Sequence, residues 1–303
     1  MKNCLEKSGV KTIFSSEVIG FEKKGLPAQA GKKVTALNLQ SGKITAKKYI
    51  LCTGGRSYSA TGSDGSGYKL AEKLGHTVEK PKPALCPVNV VEKWVEGLQG
   101  ISLEDVKVSV LQNNKKMAVE EGGIIFTRSG LSGPAILNIS GKVVSLLEKD
   151  LAAQAGEVKI CIDIFPLLNY EELLKGIEDI LKKHAGRTIK NILSIFVPER
   201  LAEILAEVAG IDKNKVANSM SKLEKNKVIK VLKNIELTAN DVLGFDAAMV
   251  TRGGVSLKEI DHKTMKSKII DNLYFAGEII DVDGKTGGFN LQACWSTGFL
   301  AGN

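Results

Sequence analysis

The chain has 303 residues, 43% of them hydrophobic and 25% charged, with a formal net charge of +8. That length exceeds what one apolar core fills, and the composition is that of an ordinary globular protein, so two or three domains are expected and extensive disorder is excluded. Its apolar runs, such as residues 48–52 and 123–126, fall far short of the roughly 20 residues a membrane span needs, and the lysine excess, thickest over 213–233, reads as a solvated helix face.

Residues 1–20 alternate apolar and polar and lack the apolar block of a signal peptide, so a soluble, cytoplasmic protein is expected. Strands are predicted over 11–21, 33–39 and, after the Ser41-Gly42 turn, 43–52, which makes a three-stranded meander. The last strand ends in Thr53-Gly54-Gly55. A loop of small residues follows over 56–65, then a helix over 66–74 closed by Gly75. Pro81, Pro83 and Pro87 mark a domain crossing.

From 88 to 164 the pattern is mainly strands: 88–91, 106–111, 117–120, 124–126 and 157–164. Between them Ser132-Gly133-Pro134 opens a helix through about Leu147, with serine as cap and proline in the first turn, where its missing amide costs nothing. Residues 170–184 are helical, and 188–235 read as several short helices with almost no strand signal. Strand character returns at 247–250, and Arg252-Gly253-Gly254-Val255 marks a second crossing. The layout is a first domain, 1–82 with 251–303, interrupted by a β-rich domain, 83–187 with 246–250, and a small helical module, 188–245.

The five cysteines, Cys4, Cys52, Cys86, Cys161 and Cys294, are scattered and never spaced Cys-x-x-Cys, which disfavours a disulfide framework and a zinc site. The three histidines, His76, His184 and His262, show no metal-site spacing, so no metal is expected.

Chemistry concentrates at two strand ends. In doubly wound α/β domains ligands sit at the carboxyl ends of strands against helix N-termini. Thr53-Gly54-Gly55 is one such end and Ala276-Gly277-Glu278 the other; glycines there let a pyrophosphate approach the backbone. At the second end, Glu278, Asp281 or Asp283 could accept hydrogen bonds from ribityl hydroxyls. A helix starting near Gly288-Phe289-Asn290 would turn its partially positive end towards the pyrimidine edge of an isoalloxazine.

The segments TGGRSYSATGSDGSGY (53–68), FTRSGLSGPA (126–135), TRGGVS (251–256) and LYFAGEIIDVDGKTGGFNLQ (273–292) closely resemble the BaiN/YhiN-like family of bacterial NAD(P)/FAD-dependent flavoproteins. The resemblance runs across essentially the whole chain. It implies an α/β protein with a glutathione-reductase-type FAD-binding domain interrupted by the β-rich and helical insertions. By the same resemblance Thr53, Gly54 and Gly55 would lie near the FAD pyrophosphate or adenosine, and Val18 would meet adenine through its backbone. Gly277, Glu278, Asp281, Asp283, Gly284, Gly288, Asn290 and Leu291 would lie along the ribityl and flavin side. NAD(P)H is the implied reductant, and reduction of unsaturated keto-steroid acids is among the implied activities, although no residue selects that substrate.

The departure from the family lies at the front. No Gly-x-Gly-x-x-Gly turn occurs anywhere, and Gly62, Gly65 and Gly67 have the wrong spacing for one. The sequence is therefore read as a truncated form that holds FAD weakly or not at all, with exposed sheet edges covered by self-association. No catalytic residue is assigned. Tyr58 could donate a proton above a flavin, and Arg128 or Arg252 could meet an anionic substrate, but packing and surface roles fit each as well. The competing class is a non-catalytic binding protein in which Lys213, Lys215, Lys222, Lys225, Lys227, Lys230 and Lys233 meet RNA or an acidic partner. Nucleic acid is not the expected partner; a small organic acceptor is.

Overall fold

Strand formation starts later than the sequence predicts. The structure is a computed structural model and describes residues 2–25, 32–153 and 156–303. A short helix α1 (Lys2–Lys7) is followed by chain outside any strand, and β1 begins only at Val18 (Val18–Gly25). Ser15, with φ of 52°, breaks the expected 11–21 strand, and Ser16 Oγ donates to Phe14 O at 3.1 Å. β1, β2 (Lys32–Leu39) and β3 (Gly42–Ile44) form an antiparallel meander in that order.

The expected third strand over 43–52 is instead two strands in two sheets: β3 stays in the meander and β4 (Tyr49–Leu51) leaves it. Tyr49 fixes the bend. Its hydroxyl accepts the Ala46 amide at 2.9 Å and donates to Thr35 O at 3.3 Å, while its own amide donates to Asn272 O at 2.9 Å. Next comes α2 (Ser66–Leu74), which buries Tyr68, Leu70, Ala71 and Leu74 and ends at left-handed Gly75, as predicted. β5 (Val78–Ala84) contains Pro81 and Pro83, which were read only as punctuation; proline is tolerated because β5 pairs on one side only.

Contacts divide the chain into two units, Met1–Pro81 with Gly253–Asp283 and Phe289–Asn303, and Lys82–Arg252 with Gly284–Gly288. The second unit is built on a closed barrel in the order β10-β11-β6-β9-β8-β7. Its strands are β6 (Val88–Val90), β7 (Ser102–Gln112), β8 (Lys115–Phe126), β9 (Gly130–Ser132), β10 (Val158–Asp163) and β11 (Ile235–Val242). β7 and β8 form a hairpin whose turn residues, Asn113 and Asn114, both take positive φ, a conformation asparagine tolerates. The strands expected at 117–120 and 124–126 are thus one strand.

α3 (Pro134–Ala153) buries Ala135, Ile136, Ile139, Val143 and Leu146 in the unit's core. The helices α4 (Tyr170–Lys183), α5 (Ile189–Leu193), α6 (Glu199–Val208) and α7 (Lys222–Lys233) contribute to the same core, including Leu173, Ile192, Leu201 and Ile229. Capping boxes start α4, through Asn169 and Glu172, and α7, through Ser221 and Glu224. β11 occupies residues that carried no strand expectation. β12 (Val250–Val255) then pairs with β5.

The chain finishes with β13 (Leu273–Phe275) and α8 (Phe289–Gly302). The core of the first unit gathers Tyr49, Leu51, Tyr68, Leu74, Leu273, Phe275 and Ile279. Asn272 ties that core to the meander: its side chain accepts the Val34 amide and donates to Val34 O, both at 2.9 Å. Among the described residues no helix is long and apolar enough to cross a membrane.

Candidate functional site

The two predicted strand ends meet. β4 and β13 pair in parallel, with Tyr49 beside Leu273, Ile50 beside Tyr274 and Leu51 beside Phe275. The Ala276 amide extends the ladder by donating to Leu51 O at 3.2 Å. Thr53-Gly54-Gly55 and Ala276-Gly277-Glu278 therefore leave the sheet side by side at its carboxyl edge, where parallel sheets bind ligands.

Close packing dictates the glycines at the first end. Gly54 has φ of 74°, and a Cβ there would fall 2.6 Å from Ser63 Oγ. A Cβ on Gly67, in the first turn of α2, would fall 1.8 Å from Thr53 Oγ1. The 53–67 loop is thus folded against its own strand end, and glycine is required where the Ser63 and Thr53 side chains press on the backbone.

At the second end Gly277 also has positive φ, 78°. Its amide is not offered to a ligand, because it donates to Thr297 Oγ1 on α8 at 2.9 Å, and that hydroxyl donates on to Ala293 O at 2.7 Å. Glu278 lies in the tight turn Gly277–Ile279, half-buried; Asp281 is half-buried and Asp283 exposed. The Asp281 amide donates to Val255 O at 3.1 Å, which fixes the backbone from which the carboxylates project. The thiols of Cys52 and Cys294 flank this edge, and burial raises both above their ordinary values, so they are protonated at neutral pH.

Tyr68 was not singled out from the sequence. Only 5% exposed, it has a hydroxyl with no hydrogen-bond partner among the described residues. Burial, reinforced by the Glu278 and Asp281 carboxylates, pushes its pKa upward. In the Gly65-Ser66-Gly67-Tyr68 run, Gly67 fails a phosphate fingerprint yet allows the helix to sit on Thr53.

The remaining candidates are dispersed. Asn290 and Leu291 lie in the first turn of α8, and Leu291 is 64% exposed, as are other apolar residues of that helix such as Phe289, Trp295 and Phe299. Val18 opens β1 opposite Leu39, in the meander rather than the β4–β13 pair. Gly284 and Gly288 group with the barrel unit, where Thr286 binds Asn138 through its amide at 2.9 Å and Lys285 pairs with Glu120 at 2.7 Å. Tyr58 is left-handed and exposed; Arg128 lies in the barrel unit beside Glu96, at 3.5 Å.

Several lysines of the helical segment are paired with carboxylates. Lys190 and Lys213 share Glu203, each at 2.8 Å, and hold its carboxyl at about 2. Lys215 pairs with Glu224 at 2.7 Å, Lys225 with Glu178 at 3.4 Å and Lys233 with Asp163 at 2.6 Å. The barrel unit also has a concavity of about 640 Å³, in which Glu104, Asp105 and Glu121 face Phe165, Leu167 and Leu168. Its acidic wall is the wrong sign for a nucleic acid.

Residues 1–303 match the family model described as HI0933-like protein Rossmann domain. The chain is 33% identical over 260 residues to a 3-dehydro-bile acid delta(4,6)-reductase of Clostridium scindens, covering 86% of this chain and 62% of that protein. It is 33% identical over 302 residues to a ribosomal RNA dihydrouridine synthase of Haemophilus influenzae, covering 99% of this chain and 69% of that protein. Against the Escherichia coli protein of the same name it is 30% identical over 292 residues, covering 96% and 67%. The chain thus spans between 62% and 69% of these relatives' lengths. With a parallel strand pair at the predicted position and a family match along its whole length, the chain belongs to the HI0933-like Rossmann family of flavoprotein oxidoreductases.

Proposed function

We propose that this protein is an FAD-dependent reductase that takes hydride from NAD(P)H and delivers it to a carbon–carbon double bond conjugated with a carbonyl. The observation that carries the reading is the side-by-side exit of Thr53-Gly54-Gly55 and Ala276-Gly277-Glu278 from two parallel strands, with half-buried carboxylates beside them. The residues fit the cofactor. Gly54 and Gly55 bring backbone without side chains of their own to the strand end, which suits the pyrophosphate or adenosine. Glu278, Asp281 and Asp283 are acceptors suited to ribityl hydroxyls. Asn290 and Leu291, in the first turn of α8, suit the flavin edge, where a helix N-terminus stabilises negative charge. Bound FAD would supply reversible hydride acceptance; the chain's residues bind, orient and exclude water.

The acceptor class is supported by the chemistry that the relatives' names share, since a delta(4,6)-reductase and a dihydrouridine synthase each saturate a carbon–carbon double bond. Neither a steroid nor a nucleobase is selected by a residue of this chain. A purely RNA-binding role is poorly supported, because Lys213, Lys215, Lys225 and Lys233 are already paired with carboxylates.

The test is NADPH oxidation by the purified protein under anaerobic conditions, with and without added FAD and with 2-cyclohexen-1-one as acceptor. Oxidation that requires both FAD and the enone supports the reading. FAD that never associates with the protein, with NADPH left unconsumed, removes it.

A further inference from the structure

We propose that the Tyr68 hydroxyl is a recognition group that donates a hydrogen bond to a sugar-alcohol hydroxyl held between it and the carboxylates of Glu278 and Asp281. This rests on the flavin reading and deepens it, because it assigns the donor for the ribityl chain.

Tyr68 stands in the first turn of α2, the helix that Gly67 seats against Thr53. Its ring is wedged: a Cβ on Gly65 would lie 3.4 Å from a ring carbon, and the ring belongs to the same buried cluster as Ala276, Ile279 and Ile280. A tyrosine buried this deeply ordinarily finds a partner for its hydroxyl. This one has none among the described residues. Leaving it unpartnered destabilises the ligand-free protein, so phenylalanine would pack better unless the oxygen has a task.

The surroundings define the missing partner. Burial and the two nearby carboxylates keep the phenol protonated, so it is a donor at any physiological pH. The carboxylate oxygens of Glu278 and Asp281 are acceptors. A group that satisfies both sides must accept from Tyr68 and donate to a carboxylate, as an alcohol does. A phosphate would be repelled by the carboxylates, and an ammonium has no lone pair for the phenol. Glu278 and Asp281 are themselves half-buried.

Riboflavin carries the ribityl chain and lumiflavin a methyl group in its place, so the ratio of their dissociation constants isolates what the chain contributes. Both are measured by quenching of flavin fluorescence, on wild type and Tyr68→Phe. Wild type is expected to prefer riboflavin. Tyr68→Phe is expected to lose roughly threefold to tenfold of that preference, the worth of one neutral hydrogen bond, with lumiflavin affinity unchanged. Its ligand-free form is expected to melt no lower than wild type, because the deleted oxygen had no partner. Glu278→Gln and Asp281→Asn should each reduce the same ratio, a second reading that does not depend on Tyr68→Phe folding. A full riboflavin preference in Tyr68→Phe, or a ligand-free Tyr68→Phe that melts well below wild type, overturns the assignment and leaves the flavin reading intact. Binding of neither flavin by wild type overturns both.

Discussion

Gly67→Ala probes how the first strand end is built. In an unconstrained helix the change would stabilise by about 1 kcal/mol, because alanine is the better helix former. Here the new Cβ would fall 1.8 Å from Thr53 Oγ1 and 2.6 Å from Thr53 Cβ. Rotating Thr53 moves its oxygen but not its Cβ, so the helix or the strand end must shift. Overpacking of this kind costs about 1–3 kcal/mol, and the backbone-anchored contact places Gly67→Ala near the upper end. Offset by the helix-propensity gain, the net loss is about 2 kcal/mol, a fall in Tm of roughly 4–8 °C. Urea and thermal unfolding followed by circular dichroism measure it. The double variant Thr53→Gly with Gly67→Ala removes the obstructing side chain and is expected to recover most of the loss. A Gly67→Ala protein as stable as wild type, or a double variant no better than the single, would refute the packing argument.

Three further outcomes follow from buried or paired polar groups. Asn272→Ala strands the Val34 amide and carbonyl, and equilibrium unfolding should show a loss of about 2–4 kcal/mol. His76 is buried with Nε2 2.7 Å from Ser267 Oγ, and its pKa is lowered by that burial against the opposing pull of Glu259. Its neutral form is favoured by folding, so the stability is complete above about pH 6.5 and is lost as pH falls through the lower folded value; His76→Phe should flatten that part of the urea-midpoint profile. Glu203 should titrate at about 2 by carboxyl-detected NMR, with its contribution present above the ordinary glutamate range and lost as pH falls towards that value. Replacing Lys190 and Lys213 by methionine should return the titration towards 4.5.

The two strand ends were legible because glycines and carboxylates beyond short apolar runs are local signals. Their adjacency follows from the parallel pairing of residues 49–51 with 273–275, a contact that no local pattern encodes. The run over 43–52 hid a change of sheet, since Tyr49 makes the bend through hydroxyl bonds rather than through a glycine or proline. β11 was missed although Ile235, Leu237 and Ala239 alternate, because the lysine-rich helix before it set the expected period. The Asn113-Asn114 hairpin carried a usable turn signal that was not read. Tyr68 could not be found by residue type, because only burial distinguishes its hydroxyl from that of any packed tyrosine.

The most direct measurement of the central claim is an amide chemical-shift titration of the protein with FAD. The account requires the largest changes at Gly54, Gly55, Glu278 and Asp281, and smaller ones in the meander around Val34. Changes confined to the barrel strands, or no change up to saturating FAD, would contradict it.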